Sequence, residues 1–289
     1  MPGMTPAGRL TPGADDDSLG GLVARATGGD AIALEELIAK LVTPMYNLAL
    51  RMLWHPQDAE DAVQEILIKV VTGLRSFRGD SSVTTWSYRI AVNHLLTFRR
   101  RRSERMQMSF EEHANDLAVG LDTPIPSGLG VEDAVLETEV KVGCTHAMLL
   151  CLGREARMAF ILGEVFDVPE REAAVLCAIP RATYRKRLSR ARAAIRGHME
   201  SYCGLVNEAA ACRCRRRVGA AIQLGRVTPR ELHFGATGSS VVDEGVREME
   251  ELHAAAAVFH GEPMYSAPGR LADTVSRLLA SRRWLVLSH

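Results

Sequence analysis

At 289 residues the chain is long enough for roughly two domains of ordinary size, and its hydrophobic share of 47% and charged share of 24% are those of an average soluble protein. No apolar run reaches the roughly 18 residues that a membrane helix needs, so the composition argues against a membrane protein. Six cysteines spread over so long a chain do not form a secreted disulfide framework, and in a reducing compartment a close group of them points to metal or redox chemistry.

Residues 1–20 are rich in Gly, Pro and Asp and lack an apolar core after a basic start, so they read as a disordered tail and not as a signal peptide; the expected location is the cytoplasm. Residues 30–53 carry Ile32, Leu34, Leu37, Ile38 and Leu41 at helical spacing, with Pro44 as a break or kink before Met45, Leu48 and Met52 resume the period. Asp58 is expected to open the next helix, where Asp61 meets the positive end of the dipole and Ala62, Val63, Ile66, Leu67 and Val70 form the buried stripe. Breakers at Gly73 and at Gly79 to Ser82 then precede a helix over about 84–101. Residues 103–130 have linker composition, followed by an amphipathic helix over 131–150 and another over 154–165. Two short helices over about 170–177 and 181–197, joined by a tight Ala-Ile-Pro turn at 178–180, form a helix-turn-helix. On the second of these, Tyr184, Leu188, Ala191 and Ile195 share an apolar face, and Arg181, Arg185, Lys186, Arg190 and Arg192 lie around the remainder. Further helices are expected over 243–260 and 268–280, so the fold class is all-α.

A net charge of zero hides strong segregation. Residues 75–105 hold eight arginines against Asp80 and Glu104, a local charge of +6, and residues 181–217 hold ten arginines and Lys186 against Glu200 and Glu208, or +9. Between them, residues 106–139 carry eight acids and no Lys or Arg. Two basic blocks on either side of an acidic tether suit a protein that grips a polyanion at two places, and such a tether can fold back over the basic blocks.

The octet Asp58-Ala-Glu-Asp-Ala-Val-Gln-Glu65, the turn Phe77-Arg-Gly79 and the helix Trp86-Ser-Tyr-Arg-Ile-Ala-Val-Asn-His94, in that order, resemble region 2 of a bacterial RNA polymerase sigma factor of the extracytoplasmic-function group. The run Thr183-Tyr-Arg-Lys-Arg-Leu-Ser-Arg-Ala-Arg192 in the helix-turn-helix is similar to region 4 of that group, although the family usually has Gly where Ala178 stands and often Ser where Pro180 stands. The resemblance covers roughly residues 24–199. It implies a sigma factor, not an enzyme, that brings RNA polymerase core to promoter DNA and helps to open it, with a region 2 lobe (21–105), an acidic linker (106–140), a region 4 lobe (141–200) and a C-terminal extension (201–289). It implies further that Asp58, Asp61, Gln64 and Glu65 face the clamp helices of the largest polymerase subunit. Region 4 would meet the polymerase flap. The loop 79–85 with Arg78, Asp80, Ser81 and Ser82 would line a pocket for an unpaired base, and Trp86, Asn93, Arg99, Arg100 and Arg101 would hold the melted strand. Arg181, Thr183, Tyr184, Arg185 and Arg187 would read the upstream element. A separate anti-sigma protein is a further partner of such factors, and no membrane contact is expected.

In the extension, Cys203, Cys212 and Cys214 stand within twelve residues, with His198 nearby. Three readings fit them: a tetrahedral zinc site, thiol redox sensing, or structural cysteines with no cofactor at all. Position and the cysteines together suggest that the extension regulates the rest. Three competing functions leave more unexplained. A helix-turn-helix regulator acting without core polymerase accounts for the second basic block only. A metal- or redox-sensing DNA-binding protein accounts for the cysteines. A magnesium nuclease would need Asp58, Glu60, Asp61 and Glu65 to converge, yet Glu60 and Asp61 point apart on a helix.

Overall fold

The structure is a computed structural model that describes residues 16–98, 108–128, 132–230, 232, 258–259 and 264–281. Among these, all regular structure is helical, and the one extended pairing is an isolated bridge between Cys203 and Cys212. The expected all-α class is therefore observed. The described residues fall into two compact units, one drawn from 1–105, 161–186 and 264–289 and the other from 106–160 and 187–263.

The first unit is built on α2 (Ala31–Leu53), around which α1 (Asp16–Thr27), α3 (Pro56–Gly73) and α4 (Val83–Thr97) pack. The expected tail is thus already helical from Asp16. Asp30 caps α2, its side chain accepting from the amides of Ile32 and Ala33 at 3.0 and 3.1 Å. Of the break or kink expected at Pro44, no break occurs: the proline lies inside α2. Proline removes one backbone hydrogen bond at a cost of roughly 3 kcal/mol, and the burial of Leu41, Met45, Leu48 and Met52 on either side of it outweighs that loss. Pro56, not Asp58, opens α3, where its fixed φ suits the helix and its missing N–H has no cost; Asp58 lies in the first turn. Ala62, Val63, Ile66, Leu67 and Val70 form its buried stripe as expected.

From Met45 to Leu53 every residue of α2 is buried, including Asn47 and Arg51. Both polar side chains find partners inside the unit. Asn47 donates to the Tyr265 carbonyl at 2.7 Å and accepts from the Tyr265 amide at 2.8 Å. Arg51 donates to the Asn47 side-chain oxygen at 3.0 Å, and its guanidinium lies 5.2 and 5.5 Å from the ring centres of Tyr265 and Phe166.

The second unit contains α5 (Phe110–Ala118), α6 (Asp133–Cys151) and α7 (Arg154–Phe160), which runs on into a single wide turn at Ile161–Val165 in the first unit. α8 (Glu170–Leu176) lies in the first unit and packs on α4. α9 (Arg181–Tyr202) begins in the first unit and continues in the second, which also holds α10 (Cys214–Gln223); α11 (Gly269–Ser281) belongs to the first. The acidic stretch is therefore not a plain linker. Ser109 and Glu112 cap α5 reciprocally, each side chain bonding the other's backbone amide. Leu136 and Val140 of α6 form a small core with Val218, Ala221 and Val227. Arg157, 4% exposed, closes the end of α6 by donating to the carbonyls of Leu149, Leu150 and Leu152, and burial lowers its pKa to about 10. The expected helix over 243–260 lies outside the described residues except at 258–259.

Replacing Asn47 by Ala removes the buried bonds it makes to the Tyr265 amide and carbonyl, so the urea midpoint should fall by the equivalent of about 1–3 kcal/mol with an unchanged slope. Limited proteolysis should then cut first within 264–281.

Candidate polymerase-docking and nucleic-acid surfaces

α3 presents its acids unequally. Asp61 is exposed, Gln64 is half-buried and Glu65 is about half exposed. Glu65 reaches across to His94 of α4, 3.7 Å away, while the Lys69 ammonium donates to the other ring nitrogen of His94 at 2.6 Å. Burial, and next the Lys69 charge, hold the His94 pKa below its usual value, so the ring stays neutral near pH 7. Asp58 departs from expectation. It is 8% exposed, and its Oδ2 atom has no hydrogen-bond partner among the described residues, because it stands one turn before Ala62 and two before Ile66 on the buried side of α3. Asp61, Gln64 and Glu65 remain as an outward set. Glu60, one turn before Gln64, is engaged by Arg270 of α11 in a forked ion pair at 3.0 to 3.3 Å.

The loop before α4 is open at Arg78, Gly79 and Asp80, and Gly79 has φ +75°, a backbone that favours glycine. Ser81 is partly buried. Ser82 is the cap of α4, its hydroxyl accepting from the Thr85 amide at 3.0 Å, so its side chain already has a structural role. The Trp86 ring packs against Phe77, with ring centres 5.2 Å apart, and covers Gly73 so closely that a Cβ there would stand 3.1 Å from it. Only part of this ring is open to a base. Tyr88, Leu95 and Phe98 are core. Asn93 is exposed on α4, and so is Arg89 one turn earlier on the same face. Sequence reading passed over Arg89, although the i, i+4 spacing to Asn93 could have marked it. Arg99, Arg100 and Arg101 lie outside the described residues.

In the helix-turn-helix, the turn holds Ala178 at φ +52°, a left-handed conformation that L side chains rarely adopt. Arg181 is exposed and paired with Glu170 at 2.8 Å, Arg185 and Lys186 are exposed, and Thr183 is half-buried. Tyr184 is fully buried, which corrects its assignment as a reader of DNA: it falls on the same apolar face as Leu188. Arg187 is held by Glu155 at 2.7 Å with less than a third of its side chain exposed, so it too is less available than expected.

The acids between the basic blocks are used internally within the second unit. Asp116 takes a forked pair from Arg226 at 2.6 and 2.8 Å and a further contact from Arg217 at 3.2 Å. Burial pushes the Asp116 pKa up, yet Arg226 and Arg217 together bring it below the usual value. Asp122 pairs with Arg216.

These surfaces coincide with known families. Residues 37–105 match the sigma-70 region 2 model and residues 143–195 the sigma-70 region 4 model. The chain is 31% identical over 182 residues to the RNA polymerase sigma-H factor of Pseudomonas aeruginosa, covering 60% of this chain and 90% of that protein. The chain belongs to the sigma-70 family, extracytoplasmic-function type. It is 33% identical over 177 residues to the ECF RNA polymerase sigma-E factors of Escherichia coli and Salmonella typhimurium, with the same coverage of 60% and 90%. This sigma factor accordingly acts in promoter-specific transcription initiation with RNA polymerase core. No helix among its described residues is long and apolar enough to cross a membrane.

Two substitutions separate surface from core in the helix-turn-helix. Arg185→Ala should leave the helical circular dichroism unchanged, weaken promoter DNA binding and reduce the salt slope by about one. Tyr184→Ala should cost roughly 3 kcal/mol of stability. A third substitution, Ala178→Gly, should raise stability by about 1 kcal/mol by relieving the left-handed strain at the turn, read from the urea midpoint.

Proposed function

We propose that this sigma factor docks on the clamp helices of the largest polymerase subunit through Asp61, Gln64 and Glu65, performs no bond chemistry itself and works in the cytoplasm. The observation that carries this reading is the outward placement of those three side chains on α3 while the apolar stripe of the same helix is buried. Exposed carboxylates suit a basic partner surface, where they speed encounter and fix register. Arg78, Gly79 and Asp80 at the loop tip, with Arg89 and Asn93 on α4, form the side that meets the unpaired strand. Stacking and cation contacts made only with an extruded base favour melting, at roughly 1–3 kcal/mol per stacked base. Arg181, Arg185 and Lys186 contact the upstream element, with guanidinium groups suited to guanine edges and phosphates.

A regulatory role for the C-terminal extension rests on a separate observation. Within the first unit α11 packs on α2 and α3, burying Leu271 and Val275, and Arg270 binds Glu60 beside the outward acids. Polymerase and α11 thus draw on neighbouring positions of one helix, and the extension restrains docking.

Charge reversal at Asp61 and Glu65 should weaken core binding at least tenfold, about 1.4 kcal/mol, with DNA binding of the free factor unchanged; equal core affinity would remove α3 as the docking element. Asp80→Ala should impair runoff transcription from duplex promoters more than from promoters with a preformed bubble. Arg270→Glu in the full chain should strengthen core binding if α11 restrains docking, and leave it unchanged if α11 is only a brace.

A further inference from the structure

The cysteines expected to act together in the extension are joined by a fourth that lies far away in sequence. We propose that Cys144, Cys203, Cys212 and Cys214 constitute a tetrathiolate site for a zinc-class divalent cation in the second unit.

Backbone geometry brings the four together. Cys203 follows the last turn of α9, its amide bonded to the Met199 carbonyl at 2.8 Å. Cys203 and Cys212 are bridge partners, and the Gly204 amide donates to the Cys212 carbonyl at 3.0 Å, so the two Cα atoms stand roughly 5 Å apart, as in paired strands. Cys214 opens α10 and packs on the small core that contains Val140 of α6. Cys144 is one helical turn beyond Val140 on the face of α6 that α10 covers. Two helices and the ten-residue loop between Cys203 and Cys214 therefore bring these four residues into one neighbourhood.

Electrostatics agrees with this placement. Ionisation of Cys144 is opposed first by burial and then by Cys214, Cys203 and Cys212; ionisation of Cys214 is opposed by burial, Cys203 and Cys212; that of Cys212 by burial and Cys203. Cys151, by contrast, responds to burial, Arg157 and Glu112, and to none of the four. Four neighbouring, partly buried thiols have few good hydrogen-bond partners, and a soft divalent cation supplies what they lack: it takes each as thiolate, four protons leave to solvent, and the ion sheds its waters. The resulting excess negative charge is offset by Arg213, Arg217 and Lys141, which act on these thiols already. His113 stands beside Cys144, Nε2 to Sγ 3.9 Å, and is itself fixed by His198 at 2.8 Å, an arrangement that orients the thiol. As the side chains stand, no three such donors among the described residues surround one ion position, so ligation turns the thiols toward one another from their present rotamers. The site fastens a loop of irregular structure to two helices, which a small core of five buried residues does only weakly.

The full chain, isolated under reducing conditions, should contain about one zinc per molecule by elemental mass spectrometry. After chelation and reloading with cobalt(II) it should show the thiolate-to-metal charge transfer of four sulfur ligands. Alkylation mapped by peptide mass should find Cys144, Cys203, Cys212 and Cys214 protected together by added zinc and exposed together by a chelator, with Cys151 indifferent to both. Cys144→Ser should lose one thiolate from the cobalt spectrum. If that variant does not fold, alkylation of the unaltered chain decides. Metal well below one per molecule, protection of the three extension cysteines without Cys144, or a Cys203–Cys212 disulfide in the reduced preparation would each overturn the site.

Discussion

The first unit depends on a helix with no solvent-facing side over its second half. From Met45 to Leu53 α2 is buried all round, and a helix so enclosed must satisfy any polar side chain it carries from within. Asn47 and Arg51 are those side chains. Their needs fix Tyr265, whose backbone closes on the Asn47 amide and whose ring flanks the Arg51 guanidinium. Because α2 is covered on every side, α3 meets it with its apolar stripe, and Asp61 and Glu65 lie on the outward side of α3.

Charge in this sigma factor is segregated along the sequence and partly reunited in the fold. Asp116 and Asp122 engage Arg217, Arg226 and Arg216, so the acidic stretch neutralises cations at the far end of the second basic block and just beyond it. Arg185 and Lys186, nearer the turn of the helix-turn-helix, stay exposed. The division leaves the cations beside the turn on the surface and uses the later ones as internal fasteners. Formal net charge conveys none of this, since exposed ion pairs and exposed lone cations count alike.

Much of the architecture was legible in the residues because it follows from periodicity. The stripe from Ala62 to Val70 and the partner helices around Ala178 both come from spacing that burial enforces. Tyr184 shows how a motif can mislead: its place in a basic run suggested DNA, while its i, i+4 relation to Leu188 correctly put it inside. Asp58 is a related case: its i, i+4 relation to Ala62 puts it on the buried side of α3. The contacts of Glu60 with Arg270 and of Cys144 with the extension join residues far apart in sequence, and no local pattern encodes them. Local propensity alone leaves break and kink both open at Pro44, and the burial around it keeps the helix continuous.

The central claim is that α3 is the face this sigma factor offers to polymerase. Hydrogen–deuterium exchange of the full chain with and without purified core polymerase tests it most directly. Slowed exchange over residues 58–66 on adding core, with α10 unchanged, is the predicted result; unchanged exchange across α3 with protection elsewhere would contradict the account.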